Sequence, residues 1–516
     1  MPYIKRYAGR RRTAQVVTYQ SEGAQTMDYN GEEIYVSNPS ARLRNEGKYA
    51  IAAFPTAAAT PFIRLDPIET VVSTLFDGQR TCDEVAEISS VMAFDETTDR
   101  KEVAKDMLRR FLQKFRQPQG GVDTPLFLPL SDLSPEQRAD IPYYRTTDYI
   151  IKPENYRPQD TQLSFPLSVL WLLTNDCQTN CQYCYMEKRP VAKKDLLPIE
   201  RVKEIAKEAS EGGVMAVYVS GGDVMCYPYL YDFLELMSEY EFEPTMLATK
   251  AYVSLKTARR LLEYDYVKGI QFSIDSTVPE IADFLVQSPG FYKRIMDSIR
   301  NCQKAGFEII EVKSVITPYN LPTIPKLYRD LKEKGVTEIR LATYCKSGYH
   351  HQDRLFNHPD DYRWLDKQID KLEAEFPSDK IYYQNGPPQV APKTKEEVVS
   401  TWKNRSCCTA GRSNFTICAD GKVVACEQMP ERDGDYIGDL GSQSIMDVWH
   451  GKEMDAYLLH PLRERFKGTA CFDCEEFDEC QIAYGQCVRD CLIHYGTRWC
   501  PSPICPRAPE KYMRTM

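Results

Sequence analysis

Apolar and polar positions change their period three times along this chain of 516 residues. After a polar stretch at 1–30, read as a flexible tail, short apolar runs appear at Glu33–Ser37, Tyr49–Phe54 and Pro61–Leu65 and predict strands. Three helical stretches follow: Ile68 to Phe76, closed by Asp77 and Gly78; Thr81, a good N-cap, to about Val91; and Arg100 to Phe115. The last carries Val103, Met107, Leu108, Phe111 and Leu112 as a helical stripe. Residues 31–118 therefore predict a small winged-helix-like domain. Residues 119–164, rich in Pro, Asp and Gln, read as a linker. From 165 to 348 the pattern alternates, with strands expected at 168–173, 215–220, 245–249, 269–274, 308–316 and 337–344. Helices are expected between them at 198–212, 228–240, 253–264, 290–305 and 321–335. This is an α/β pattern of parallel strands, a partial (β/α)6 barrel whose chemistry belongs at the C-terminal strand ends. Residues 349–402 read as a charged helical bridge with a Pro-rich stretch at 386–392, and 403–516 form a cysteine-rich segment.

Composition narrows the possibilities. A net charge of −9 argues against general nucleic-acid binding. The longest apolar run, around Val169 to Leu173, is far too short to span a membrane. The N-terminus is basic from Lys5 to Arg12 but has no apolar h-region, so no signal peptide is expected. The Arg run reads as a solvated tail in preference to a docking site for an acidic partner. A cytoplasmic protein is expected. In that reducing setting eighteen cysteines read as metal ligands or catalytic thiols and not as disulfides. Eleven lie beyond residue 400, three in one run, and only Cys82, Cys226, Cys302 and Cys345 stand alone.

The three-cysteine run, Cys177, Cys181 and Cys184, follows the first barrel strand as C-x3-C-x2-C. Three thiolates can hold three irons of a [4Fe–4S] cube and leave the fourth open to a small molecule. A zinc knuckle would want four closed ligands in pairs, and no fourth Cys or His lies nearby. The spacing, with Tyr183 before the last cysteine, resembles the radical SAM signature. That resemblance implies that the cluster binds S-adenosylmethionine (SAM). It implies further that Tyr183 meets adenine through its backbone and that Gly221, Gly222 and Asp223, resembling the family's GGE loop, meet the methionine amino group. Ser273 and Asp275 would meet the ribose and the carboxylate, with Lys313 or Ser314 as a further candidate. Where relatives carry an Arg-Gly pair, this chain has Gln287 to Gly290, which weakens the carboxylate assignment.

The C-terminal cysteines resemble the SPASM domain. Cys408, Gly421 and Cys426 give its C-x12-G-x4-C element, and Cys471, Cys474 and Cys480 its C-x2-C-x5-C element. The pattern then departs, with six residues before Cys487. Zinc ribbons would explain the C-x2-C pair but not the G-x4-C element. The resemblance implies two auxiliary [4Fe–4S] clusters, three in all. The first would use Cys408, Cys426 and Cys487, completed by Cys407, Cys418 or an outside ligand. The second would use Cys471, Cys474, Cys480 and Cys505. Cys491 and Cys500 are unassigned and could displace Cys487 and Cys505.

The segment from Phe76 to Val85 resembles the turn of the pyrroloquinoline-quinone peptide chaperone (PqqD-like) family, the RiPP recognition element, which binds a leader peptide as an added strand. The alternative is an ordinary winged helix of the DNA-binding kind. Peptide-binding domain, radical SAM barrel and SPASM domain in that order resemble maturases of ribosomally made peptides. The resemblance implies a precursor peptide with a leader as substrate and an external one-electron donor of flavodoxin or ferredoxin type. It implies a 5′-deoxyadenosyl radical that takes a hydrogen atom from the core peptide. A thioether crosslink is the first expectation and a carbon–carbon crosslink the second. Epimerisation would need a hydrogen donor such as Cys226 or Cys345. A sulfatase-type protein maturase, or a non-catalytic iron–sulfur electron carrier, would leave the N-terminal domain unexplained.

Overall fold

The computed structural model describes residues 30–56, 59–93, 100–116, 124–186, 191–346, 348, 351–379, 381–384, 394–405 and 407–509. The expected tail, save Asn30, and the Pro-rich stretch at 386–392 lie outside the described residues. The chain divides into two compact units between Asp160 and Thr161. Among the described residues no helix is long and apolar enough to cross a membrane.

The first unit holds β1 (Ile34–Ser37), β2 (Arg42–Asn45), β3 (Ala50–Ala53), β4 (Phe62–Leu65), α1 (Pro67–Ser73), β5 (Asp77–Thr81), α2 (Cys82–Ala93), α3 (Arg100–Arg116), β6 (Phe127–Pro129) and α4 (Pro135–Ala139). Local signals start the helices. The Asp66 carboxylate accepts from the Glu69 N–H at 2.8 Å, Glu69 returns a bond to the Asp66 N–H at 3.1 Å, and Pro67 fills the first helical position. Thr81 and Glu84 make the same reciprocal pair before α2. The strands form two three-stranded sheets, β5-β1-β6 and β2-β3-β4.

Two expectations change here. Asp77 and Gly78, read as a turn, open β5, which pairs with β1. The expected linker contributes β6, and the unit runs to Asp160 and not to 118. The reason is aromatic. Phe127 packs 4.7 Å from Phe76 and 5.1 Å from Phe111, centroid to centroid, so this segment completes the core that α3 begins.

The edges of the second sheet differ. On β2, the Leu43 N–H donates to the Tyr144 hydroxyl at 3.0 Å, and the Leu43 carbonyl accepts from the Tyr149 hydroxyl at 3.1 Å. That edge is occupied. On the other side β4 pairs, among the described residues, with β3 alone. The Phe54 N–H donates to the Pro61 carbonyl, and β3 and β4 pair in that register with Ala53 opposite Phe62 and Ile51 opposite Arg64. Antiparallel pairs alternate, so the main-chain groups of Phe62 and Arg64 point away from β3, off the sheet.

The second unit is built on parallel strands β7 (Ser168–Leu172), β8 (Ala216–Ser220), β9 (Thr245–Thr249), β10 (Val267–Ser273), β11 (Ile310–Ile316) and β12 (Glu338–Thr343). Between them run α5 (Ile199–Gly212), α6 (Leu230–Glu239), α7 (Leu255–Leu261), α8 (Pro279–Val286), α9 (Phe291–Ala305) and α10 (Ile324–Glu333). α8 falls where no element is expected from the sequence. After α11 (Pro359–Glu375), β13 (Tyr382–Gln384) extends the sheet parallel to β12. β9 to β13 form one five-stranded sheet; in a second, β14 (Asn414–Ile417) from the cysteine-rich segment pairs parallel to β7, with Asn414 opposite Ser168. β15 (Lys422–Val424) and β16 (Gly438–Asp439) follow it as an antiparallel meander, giving the order β16-β15-β14-β7-β8. One hydrophobic core runs from Phe165 through the strands to Phe415, Trp449 and Val488. The barrel and the cysteine-rich segment therefore bury a common apolar surface.

Candidate active site and cluster sites

The three-cysteine loop begins where β7 ends. The Gly222 N–H donates to the Thr174 carbonyl at 2.6 Å, and the Asp223 N–H to the Asp176 carbonyl at 2.8 Å. A Cβ on Gly221 would stand 2.4 Å from the Thr174 oxygen and one on Gly222 2.2 Å from the Asp176 oxygen; Gly221 also holds a φ of +132°. The glycines thus let the loop after β8 lie directly on the cysteine loop. On the other flank, the Asn180 and Gln182 N–H groups donate to the Val286 and Leu285 carbonyls at 3.0 and 2.9 Å. The C-terminal end of α8 shapes the loop between the first and last cysteine.

Asp223 fixes the floor. Its carboxylate accepts from the Met225 N–H (3.0 Å), the Thr249 hydroxyl (2.7 Å), the Gln178 amide (2.9 Å) and the Lys250 N–H (2.7 Å). All four donors belong to the protein, and Asp223 is buried. Asp275 is similarly engaged by the Val315 N–H at 2.8 Å and by the Tyr183 hydroxyl. Burial raises its pKa, and the Lys250 charge opposes that.

Lys250, which sequence reasoning missed, stands at the centre. Its ammonium lies 5.7 Å from the centroid of the Tyr183 ring. Burial works to lower its pKa, but Cys181, Asp275, Cys177 and Cys184 together hold it above the ordinary value. One cation thus faces all three cysteines. The donor set fits a cluster: three free thiols on one loop, gathered about a positive charge. Its position just past the end of β9 was a usable signal.

Strand β11 sorts the two further candidates. Successive residues face opposite sides. Lys313 is exposed and pairs in register with Ser273, whereas Ser314 is fully buried with no partner for its hydroxyl. Lys313 and Ser273 therefore share the face at the strand ends, and Ser314 does not. The Lys313 charge acts on two groups there, Glu427 and Cys345. Glu427, the residue after Cys426, accepts from the Tyr185 hydroxyl at 3.2 Å. Burial raises its pKa, opposed first by Tyr185 and then by Lys313. Tyr185 follows Cys184, so this contact joins the first cysteine loop to the C-terminal set.

The lone cysteines separate. The Cys226 thiol donates to the Gln178 side-chain oxygen at 2.8 Å, beside Asp223 and Cys177, and burial pushes it up to about 11. Cys345 lies between Lys313 and Arg489, its pKa raised by burial. Cys82 and Cys302 are buried in the cores of their units, each pushed by burial up to about 12.

Two groups of C-terminal cysteines emerge. Cys408 neighbours both Cys426 and Cys487. Cys471 neighbours Cys474, Cys480 and Cys505. Burial pushes Cys426 and Cys480 up to about 11 and Cys471 to about 12, so loading metal there must release protons. Between the groups sit Cys491 and Cys500; Cys491 neighbours Cys500 and Cys487, Cys500 neighbours Cys471, and the Cys500 thiol donates to the Thr497 carbonyl at 3.2 Å. Of the other two candidates, Cys407 is exposed with its thiol toward the Ala483 carbonyl (3.4 Å), and Cys418 is fully buried in the hairpin of β14 and β15. Arg498 is buried here with Nε and Nη1 lacking any partner, an orphaned cation that an anionic cluster would satisfy.

Comparison with known proteins agrees with this geometry. Residues 171–340 match the radical SAM superfamily, and residues 407–475 match SPASM, an iron–sulfur cluster-binding domain. Among characterised relatives, the chain is similar to GTP 3′,8-cyclase of Sulfurimonas denitrificans, 23% identical over 54% of this chain and 88% of that protein. It is also similar to PqqA peptide cyclase of Ruegeria pomeroyi, 22% identical over 68% of this chain and 90% of that protein. Among solved structures, Streptococcus suis SuiB bound to S-adenosylmethionine aligns with a TM-score of 0.59 at 16% identity, over 91% of this chain and 99% of that one. SuiB bound to its precursor peptide SuiA aligns with a TM-score of 0.58 at 16% identity, over 92% and 98%. At that identity the likeness speaks for the fold. The matched segments are the barrel with its three-cysteine loop and the G-x4-C hairpin that joins it: this chain is an enzyme with a radical SAM domain and an iron–sulfur-binding SPASM domain, and its cofactors are SAM and [4Fe–4S] clusters.

Proposed function

We propose that this enzyme matures a ribosomally made precursor peptide, holding its leader on the N-terminal unit and forming a thioether crosslink, sulfur to carbon, in its core. The observation that carries the oxidative part is the Tyr185–Glu427 bond, which ties the residue after Cys184 to the residue after Cys426. An electron acceptor next to the site of hydrogen abstraction favours a reaction that removes two electrons over a redox-neutral epimerisation. When bound, SAM and the clusters supply a 5′-deoxyadenosyl radical and an acceptor for the electron left on the peptide. The chain's own residues do the rest. Lys250 holds positive charge against the three thiolates, Asp223 and Asp275 fix the loops around them, and Ser273 and Lys313 line the face open to ligand. Cys177, Cys181 and Cys184 would hold the first cluster; Cys408, Cys426 and Cys487 one auxiliary cluster; Cys471, Cys474, Cys480 and Cys505 the other. An external flavodoxin- or ferredoxin-like donor would reduce the first.

The leader reading is supported by the place of β4 at the end of its sheet among the described residues, and by the two relatives whose names refer to peptides, the PqqA cyclase and the SuiA-bound SuiB. A leader strand added to β4 would meet the outward main-chain groups of Phe62 and Arg64. Carbon–carbon crosslinking is the second reading, since it uses the same oxidative arrangement.

The test is co-expression with the short open reading frame nearest the gene, followed by accurate mass of the peptide. A loss of two hydrogens per site is expected, and fragmentation then separates sulfur–carbon from carbon–carbon links. An unchanged mass that gains one deuterium in D2O would replace this reading with epimerisation.

A further inference from the structure

Arg498 has a function that neither the SPASM pattern nor the peptide chemistry assigns. It is 3% exposed. Its Nη2 donates weakly to the Gln481 side-chain oxygen at 3.3 Å, while Nε and Nη1 have no partner. Aromatic faces surround it: Trp499 at 4.5 Å, Tyr457 at 5.3 Å and Phe466 at 5.9 Å from the guanidinium carbon. No carboxylate among the described residues pairs with it. Asp435, which could, is taken by the Tyr457 hydroxyl at 2.7 Å and by Arg432 at 2.6 Å. The ionisable groups left around the guanidinium are the thiols of Cys491, Cys500 and Cys408.

A buried cation with two idle donors is unfavourable unless an anion lies against it. Thiolate-ligated clusters are anionic, and their potentials respond to nearby charge and to hydrogen bonds at sulfur. Arg489 and Arg405, which also act on the cysteines, are differently placed. Arg489 pairs with Asp490 at 2.7 Å, and Arg405 donates to the Trp402 carbonyl at 2.7 Å. Arg412 is also buried without a carboxylate, but its Nε and Nη2 have neutral acceptors. Among the described residues only Arg498 has two buried guanidinium nitrogens without a partner, and the thiols of Cys408, Cys491 and Cys500 lie around it. We propose that Arg498 is the fixed counter-charge of the auxiliary clusters and raises the reduction potential of the one that Cys408 helps to hold. A positive charge favours the reduced, more negative state, so this cluster becomes the easier to reduce. The inference rests on the auxiliary clusters being present and is independent of which bond the enzyme forms.

The experiment uses the full chain with Cys177, Cys181 and Cys184 replaced by Ala, so that only auxiliary clusters contribute. Arg498→Met and Arg498→Lys are made in that background, reconstituted anaerobically and titrated by EPR against potential, with iron measured alongside. Arg498→Met is expected to titrate at a lower potential than the parent and Arg498→Lys near it. Loss of iron in Arg498→Met with retention in Arg498→Lys would also support a charge requirement. Potentials unchanged in an iron-replete Arg498→Met protein would overturn the proposal. So would equal loss of iron in both variants, which would mark a packing role.

Discussion

Asp223 shows how a single carboxylate can organise a site. It accepts from four protein donors on three segments: the cysteine loop, its own turn and the end of β9. Asp223→Asn keeps the shape but turns one oxygen into a donor, facing either the Gln178 amide and the Lys250 N–H together or the Met225 N–H and the Thr249 hydroxyl. A lost charged acceptor and a donor left unsatisfied cost about 1–3 kcal/mol. The expected result is a chain that folds but binds SAM and retains its first cluster more weakly, read by calorimetry and by iron content. Gly222→Ala is expected to be worse. Its Cβ would meet main-chain oxygen at 2.2 Å, and backbone cannot rotate aside. The cysteines and the glycine turn were legible in the sequence because their spacing is itself the chemistry. Lys250 was not singled out: its place just past β9 was its one signal, and a lone lysine after a strand has no motif spacing to add to it; the three cysteines that act on it are what mark it. The same holds for Glu427, whose partner Tyr185 lies 242 positions away.

At the scale of elements, the edge of β4 and the seam at β7 carry the two most testable features. The Arg64 N–H points away from β3, so Arg64→Pro removes a donor from that edge without breaking the ladder to β3. Leader affinity is expected to fall at least about tenfold, roughly 1.4 kcal/mol, while circular dichroism and SAM cleavage without peptide stay unchanged. Unaltered binding would place the leader elsewhere. The seam joins barrel and SPASM domain through β14 on β7 and through the Asn175 amide, which donates to both Glu431 carboxylate oxygens at 3.3 Å. Glu431→Ala strands a buried donor and is expected to cost about 1–3 kcal/mol, seen as a lower thermal midpoint. The six barrel strands were readable from their continuous apolar runs, as buried parallel strands are. The elements that escaped were short or borrowed. β6 and β13 have three residues each, and β14 completes a sheet that begins about 240 residues earlier, so no local pattern announces it. Helix α8 was hidden because its Pro279 start and Gln287 end, at a left-handed φ of +51°, read as loop punctuation.

For the whole molecule, the order of events separates what each cysteine set does. Three cubane clusters require about twelve irons per chain, and replacing Cys177, Cys181 and Cys184 should leave about eight. A total near four in the parent would remove the auxiliary clusters from the scheme. Cys426→Ser asks the sharper question. Its thiol belongs to the set beside Glu427, not to the loop on which SAM depends, and Ser conserves its volume within the hairpin. Hydrogen abstraction from the peptide precedes removal of the second electron. A chain damaged only at Cys426 is therefore expected to go on forming 5′-deoxyadenosine in the presence of peptide, while the peptide no longer loses two hydrogens. Loss of both products together would mean that Cys426 supports the barrel through the shared core and not through electron transfer. Continued crosslinking would mean that the electron leaves by another route. The Tyr185–Glu427 contact would then be structural, and the oxidative reading would lose the observation on which it stands.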